Sequence, residues 1–312
     1  DVADASGTLL FDVAARRWSA RVVEALDVDA AWLPRALESP VVSGLADRDV
    51  PVAAGAGDQA AGAVGVGVLA GGRGGVVSIV LGTSGVVFAA SGAFAADAQA
   101  RVHAFCHALP QTWHAMGVML SAAGSLRWLR DAVDPGGDVA ALVESARAWG
   151  PGVEGLTFLP YLAGERTPHA DPLARGAFTG LSLRHDRGAL VRAVLEGVAF
   201  GLRDGFDLVA ELAGRPAVGR VSGGGARSRL WLEILASVLE LPLQRAAVDE
   251  GASFGAALLG GVAAGVFADV HEAVAACVRP GELVEPVAAW VEPYRAARER
   301  FQALYPALRA LR

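Results

Sequence analysis

An α/β protein built on a mixed sheet is what this sequence predicts, and three observations carry the prediction. Three strand-like runs follow one another at VVSIV (76–80), VVFAAS (86–91) and TWHAM (112–116). Beyond them, apolar residues at helical spacing alternate with short strand-like runs toward the C-terminus. A glycine-rich stretch, AGGRGG at 70–75, separates this pattern from a shorter one before it. Consecutive strands pair through hairpins and alternating ones through helical crossovers. Antiparallel and parallel neighbours are therefore expected in one sheet, with helices on both faces.

Taken in order, the chain begins with a strand at TLLFDV (8–13) and a helix from Ser19 over RVVEALDV, with Ser19 as its N-cap. A loop rich in proline and turn residues runs from 33 to 51, followed by a strand around Val52. Asp58 then stands before a small-residue helix that reaches about Leu69, where it reads as an N-cap accepting first-turn N–H groups. The glycine stretch is the candidate boundary between domains 1–72 and 73–312. After it come the hairpin around LGTSG (81–85), a helix at 119–133, a strand opening LTFLPYL (156–162) and a long helix over 189–212. The pattern closes with strand 218–222, helix 228–241, strand 242–248 and helix 252–265. A last helix spans 293–305 and is expected to end or kink at Pro306.

Composition narrows the function. At 312 residues the chain is long enough for two domains or one large α/β unit. It is 53% hydrophobic, but no run of about 18 apolar residues is free of charge or punctuation, so no membrane span or membrane partner is expected. Net charge is −6 with no basic stripe, which argues against nucleic acid as a partner. Cys106 and Cys277 read as reduced thiols, and the N-terminus has no signal-peptide pattern, so a cytoplasmic location is expected. The chain does not begin with Met and enters directly into a strand pattern, which suggests a piece of something longer. It contains neither Lys nor Asn, so a P-loop with its lysine is excluded. Phosphate would have to be met by glycine backbone, hydroxyls, Arg or a metal.

Three glycine segments fit that requirement. In LGTSG, Thr83 and Ser84 offer hydroxyls and Gly82 lets backbone N–H groups approach an anion. SGGGARS (222–228) lies between a short apolar strand and a helix, so its N–H groups sit at a positive helix end. GASFGAALLGG (251–261), alone, reads as close helix packing. His103, Cys106 and His107 look like a metal cluster, but on a strand 106 faces opposite to the other two and no second Cys pair is near, so no metal site is expected.

The order of elements is that of a ribonuclease-H-like domain, of the actin-like ATPase superfamily, preceded by the end of a second, similar domain. The chain resembles the xylulokinase branch of the FGGY carbohydrate kinase family. The resemblance rests on DASGTLLFDVAARRWS (4–19), GAGDQAAGAVGVG (55–67), SIVLGTSGVVFA (78–89), HAFCHALPQTWHAMGVMLSAAGSLRW (103–128), FLPYLAGERTPH (158–169), GAFTGLSLRHDRGALVRAVLEG (176–197) and SGGGARSRLW (222–231). It implies ATP-dependent phosphorylation of a ketopentose, D-xylulose, with Mg²⁺ accompanying ATP. Asp58 would be the catalytic base and, with Gln59, would contact the sugar. Gly82, Thr83 and Ser84 would meet the nucleotide's phosphates, while Gly224, Gly225 and Ala226 would line the adenosine pocket with Arg227 near its edge. Glu165, Arg166 and His169 would either border an interdomain cleft or form a surface loop held by an Arg–Glu pair. Ala189 departs from the family's usual polar residue at a position expected to cap or start a helix. The resemblance is to the C-terminal portion of such a kinase, whose first domain supplies a phosphate hairpin, an acidic metal-associated residue and much of the sugar pocket. Activity of this stretch alone is therefore not expected. A kinase for another sugar or polyol and a non-catalytic nucleotide-binding fragment remain as alternatives, and a homodimer is left open.

Overall fold

The computed structural model of the chain describes residues 1–69, 75–247 and 251–311. Most of the expected domain boundary, residues 70–74, lies outside the described residues. The first stretch contains helix α1 (Val2–Ala5), strands β1 (Phe11–Asp12) and β2 (Arg17–Trp18), helix α2 (Ala20–Ala25), strands β3 (Val42–Ala46) and β4 (Val50–Ala53), and helix α3 (Asp58–Gly65). β1 pairs with β2 and β3 with β4, so this region holds two separate two-stranded ribbons. Ser19 caps α2 as the sequence indicates, accepting from the Val22 N–H. The strand expected over 8–13 is shorter because Ser6–Thr8 form a 3₁₀ turn. β3 falls within what reads in the sequence as loop.

The second stretch runs β5 (Val76–Leu81), β6 (Gly85–Ser91), β7 (His103–Cys106), β8 (Trp113–Met119), α4 (Ala123–Val133), α5 (Val139–Ser145), β9 (Thr157–Leu159), β10 (Ala177–Thr179) and α6 (Arg187–Ala213). It continues with β11 (Val218–Ser222), α7 (Arg229–Leu239), β12 (Leu243–Ala246), α8 (Gly251–Ala263), α9 (Val270–Cys277), β13 (Pro280–Val284) and α10 (Ala288–Arg309). Seven strands form one sheet in the order β13-β12-β11-β5-β6-β8-β7. β12, β11 and β5 are parallel, while β5, β6, β8 and β7 are antiparallel neighbours, as are β12 and β13. This is the mixed sheet the sequence implies, and side-chain alternation gives it two buried faces. Val77, Ile79, Leu81, Val87 and Ala89 enter the main core with α6, α7 and α10. Val76, Val80, Val86, Phe88 and Ala90 turn the other way, onto Ala63, Val66 and Val68.

Several expectations are corrected. The strand opening LTFLPYL is β9, but it pairs with β10 outside the main sheet. The main sheet instead gains a fourth antiparallel strand, β7, and β8 inserts between it and β6. The last helix starts at Ala288 and runs through both Pro293 and Pro306. Tyr294, Ala297, Phe301 and Tyr305 bury one face of it at helical spacing, and that packing outweighs the hydrogen bonds the prolines remove. Ala189 neither caps nor starts α6: Asp186 is the N-cap and accepts the Ala189 N–H at 3.0 Å. The packing reading of GASFGAALLGG holds, because a Cβ on Gly255 would overlap the Ala61 carbonyl of α3 and one on Gly65 the Gly251 carbonyl of α8.

Candidate active site

β5 and β11 are parallel neighbours, so the loops that follow them emerge at the same edge of the sheet. The segment Gly82–Ser84 turns the chain into β6, while Gly223–Arg227 leads into α7. Their backbones touch. Gly223 has φ +91°, and a Cβ there would lie 2.8 Å from both the carbon and the oxygen of the Leu81 carbonyl. Gly225 is equally constrained, its Cβ position lying 2.5 Å from Leu81 Cγ. Gly224 differs: it is exposed, and a Cβ there would meet nothing within 4 Å among the described residues. Thr83, Ser84 and Arg227 are also exposed, whereas the Ala226 methyl belongs to the main core, leaving backbone to offer at that position. Ser228 caps α7 by accepting the Trp231 N–H at 3.1 Å, so a helix N-terminus follows the glycines.

The Gly82–Ser84 turn is itself held from behind. Ala122 and Gly124 donate their N–H groups to the Thr83 carbonyl at 2.9 and 3.2 Å, and Ala123 donates to the Gly82 carbonyl at 2.8 Å. Arg127 reaches the Thr83 hydroxyl at 2.6 Å. Among the described residues no hydrogen bond engages the Ser84 hydroxyl, and Ser84 is exposed.

Asp58 is the first residue of α3, not its cap. Gly57 occupies the cap position and makes no side-chain capping bond. Asp58 is exposed, and no hydrogen bond or ion pair among the described residues engages its carboxylate. The capping role expected from the sequence is therefore replaced by a carboxylate that leaves its lone pairs open, favoured in place by the helix dipole. Gln59 follows, half-buried. Sequence reasoning missed a second acid here: Asp4 Oδ1 lies 2.9 Å from the Cβ position of Gly57. The DASGT segment was the available signal. No hydrogen bond joins Asp58 or Gln59 to either glycine loop among the described residues. The C-terminal turn of α3 does reach the main sheet, because Arg220 of β11 donates to the Val66 carbonyl.

The GERTPH segment separates into three environments. Glu165 is 2% exposed. Its Oε1 accepts the Leu120 and Arg166 N–H groups at 2.9 and 2.8 Å, and burial pushes its carboxyl up to about 7. The Arg–Glu pair expected of a surface loop is not formed, since the Arg166 guanidinium turns to His103 Nε2 at 3.2 Å. His169 stacks on Tyr305 with ring centroids 3.6 Å apart and pairs with the Tyr161 hydroxyl, beside a crevice of about 350 Å³ bounded by α6 and α10. His103, Cys106 and His107 diverge as alternation requires. Cys106 faces Ser6 and Val13, while His107 is buried against the Val68 carbonyl. Among the described residues no group of three His, Cys, Asp or Glu side chains is placed to hold a metal.

A mixed sheet of this order, covered on both faces and carrying two glycine loops at one edge, defines an actin-like ATPase domain of the ribonuclease-H-like class. The chain belongs to the FGGY family of carbohydrate kinases, whose C-terminal domain matches residues 77–264. It is 40% identical over 274 residues to the xylulose kinase of Escherichia coli (strain K12), covering 85% of this chain and 56% of that protein. It is also similar to the crystal structure of a xyloylose kinase from Brucella ovis, with TM-score 0.91, 40% identity and coverage of 100% of this chain and 65% of that one. A third likeness is to the xylulose kinase of Rhodospirillum rubrum, with TM-score 0.88, 32% identity and coverage of 99% and 65%. The chain thus spans little more than half the length of the curated relative.

Proposed function

We propose that this chain is the C-terminal portion of a kinase that phosphorylates D-xylulose to D-xylulose 5-phosphate with ATP. Residues 1–72 would be the end of the first FGGY domain, carrying Asp58, and 73–312 the second, nucleotide-binding domain. The observation that supports it most is the seam between Gly82–Ser84 and Gly223–Arg227, two backbones in contact with one exposed, unobstructed glycine between them. When bound there, ATP with Mg²⁺ supplies the transferable phosphoryl group and the charge neutralisation. The open sides of Gly224, Thr83 and Ser84 fit that ligand. Asp58 takes the proton of the sugar's attacking hydroxyl, and its unengaged carboxylate is suited to a base worth about 10²–10⁴-fold. Gln59 donates to and accepts from sugar hydroxyls. The xylulose kinases among the relatives support the sugar class.

Two measurements test the reading. Calorimetry with ATP and Mg²⁺ on the 312-residue chain should show binding that Gly224→Val lowers at least about tenfold. The added side chain enters open space rather than the core, so the variant should fold. Unchanged affinity would remove the nucleotide assignment. In a chain extended to the length of the relatives, Asp58→Asn should reduce sugar-dependent ADP release about 100-fold or more while sparing nucleotide affinity. D-xylulose and glycerol tested side by side would separate the ketopentose from a polyol substrate.

A further inference from the structure

We propose that Glu165 is a positioning residue for the phosphate hairpin: its carboxylate holds the turn between β8 and α4, and that turn holds Gly82 and Thr83. The inference rests on the nucleotide role proposed above and names a residue that controls it.

The register of the sheet brings the parts together. Gly85 of β6 lies opposite Met119 of β8, so the end of β8 sits beside the Gly82–Ser84 turn. The next residue, Leu120, donates its N–H to Glu165 Oε1, and the three N–H groups of Ala122, Ala123 and Gly124 then grip the Thr83 and Gly82 carbonyls. Gly124 lies tight against the hairpin, its Cβ position only 2.9 Å from the Thr83 oxygen. The segment bearing Glu165 is fixed to the same strand. Thr167 donates its N–H to the Val118 carbonyl at 3.0 Å, and the Val118 N–H donates to Thr167 Oγ1 at 3.0 Å. A shift at Leu120 is thereby passed to the hairpin through backbone hydrogen bonds alone.

Glu165 is an unusual anchor. One carboxyl oxygen accepts two N–H groups, while Oε2 is buried and has no hydrogen-bond partner. The N–H groups favour the anion and burial favours the acid, and burial prevails far enough to bring the group near neutrality. Its titratable neighbours leave it alone in that range. Tyr161 is kept protonated by burial, Arg166 turns to His103 of β7, and Asp171 meets Glu165 through backbone and sends its carboxylate to Tyr305. Protonation replaces charge-assisted hydrogen bonds with weaker neutral ones. The turn loosens, and the hairpin it supports loses its fixed shape.

The test compares the 312-residue chain with Glu165→Gln and Glu165→Asp. Mg²⁺–ATP affinity is measured by calorimetry from pH 6 to pH 8.5. The difference between proteins cancels the nucleotide's own titration. The unmodified chain should lose about fivefold more affinity than Glu165→Gln between pH 8 and pH 6, and Glu165→Asp should restore a pH-dependent step. Matching pH profiles for the unmodified chain and Glu165→Gln would overturn the proposal. Hydrogen exchange at the Ala122, Ala123 and Gly124 amides, read without nucleotide at pH 8, is the second measurement. Glu165→Gln should speed it about fivefold, and unchanged exchange also overturns the proposal. Faster exchange in a chain that binds no nucleotide would instead strike the nucleotide reading and leave the positioning role standing.

Discussion

Residues 75–311 bury their main core against one face of a seven-stranded sheet, whereas residues 1–69 form two short ribbons and lean on that unit for their own cores. Val2, Ala5 and Phe11 pack around Cys106 of β7, and Ala60 and Val64 pack with Leu258 and Leu259 of α8. Outward, the first region shows the opposite character: Leu9, Trp32, Leu45, Val50 and Val52 are all exposed. One side of this region is thus built into the unit that carries the main sheet, while these exposed side chains have no cover among the described residues. The two regions also use ion pairs differently. Arg192 and Glu196 of α6 are a sealed pair, extended by the Tyr294 hydroxyl at 2.5 Å, the Gly152 N–H and the Trp290 ring. Arg16 and Glu38 form a bidentate pair that pins the β1–β2 ribbon to the Thr112 carbonyl, with Glu38 still in contact with water.

Glu196→Ala gives the largest expected effect. It leaves the Arg192 charge buried without its carboxylate, which costs about 3–5 kcal/mol. Glu38→Ala leaves Arg16 a carbonyl and the Trp113 ring and should cost about 1 kcal/mol. Urea unfolding of the two variants reads the contrast directly. Equal losses would break the distinction between a sealed core and a leaning ribbon.

Acid should attack the seam between the regions next. His107 is fully buried, its Nε2 on the Val68 carbonyl and its Nδ1 accepting the Leu109 N–H, and burial lowers it to about 3. The folded chain therefore keeps it neutral while the unfolded chain protonates it near its ordinary 6.5. The unfolded state binds the extra proton, so stability is whole above about pH 6.5 and falls as pH drops toward 3. Between pH 6.5 and 5 the loss from this one group is about 2 kcal/mol. Limited proteolysis over that range should release the first region before the sheet is cut. Simultaneous cleavage of both, or a loss that persists in His107→Gln, would show that the seam is not where acid acts.

How much of this was legible in the sequence follows from what each signal depends on. β5, β6 and β11 could be read because β-branched runs bounded by glycine leave little else to form. Ser19 could be read as a cap because capping is local. β3 could not: VSGLA is exposed throughout and carries a glycine, so neither period nor propensity marks it. β9 was recognised as a strand but given the wrong sheet, because its partner AFT lies some way along the chain with nothing local to announce it. The two glycine loops were visible by composition, while their contact needed the parallel register of β5 and β11. Asp58 was found, one position away from the role its local context suggests. Glu165 was noticed without its purpose, because its partner Leu120 is 45 residues away and donates through backbone, which leaves no mark on residue type.

The smallest expected effect is at the outward face of the first region. Val50 and Val52 of β4 are 54% and 42% exposed and, two residues apart, point to the same face of a short ribbon whose outer edges are unpaired among the described residues. Removing exposed apolar side chains changes stability by no more than about 0.5 kcal/mol. Val50→Ser with Val52→Ser should therefore leave the urea midpoint of this chain unmoved. Open strand edges and clustered apolar side chains promote association, however, so the double variant should scatter less light at high concentration. In a chain extended to the length of the relatives, the same pair of substitutions should become costly, because the proposed first domain would cover this face and each lost side chain would then be worth about 1–2 kcal/mol. A loss above about 1 kcal/mol in the 312-residue chain itself would mean that the ribbon already carries weight. No added loss in the longer chain would mean that the face is solvent-exposed there too, and the contrast between the two regions would have to be explained without a missing neighbour.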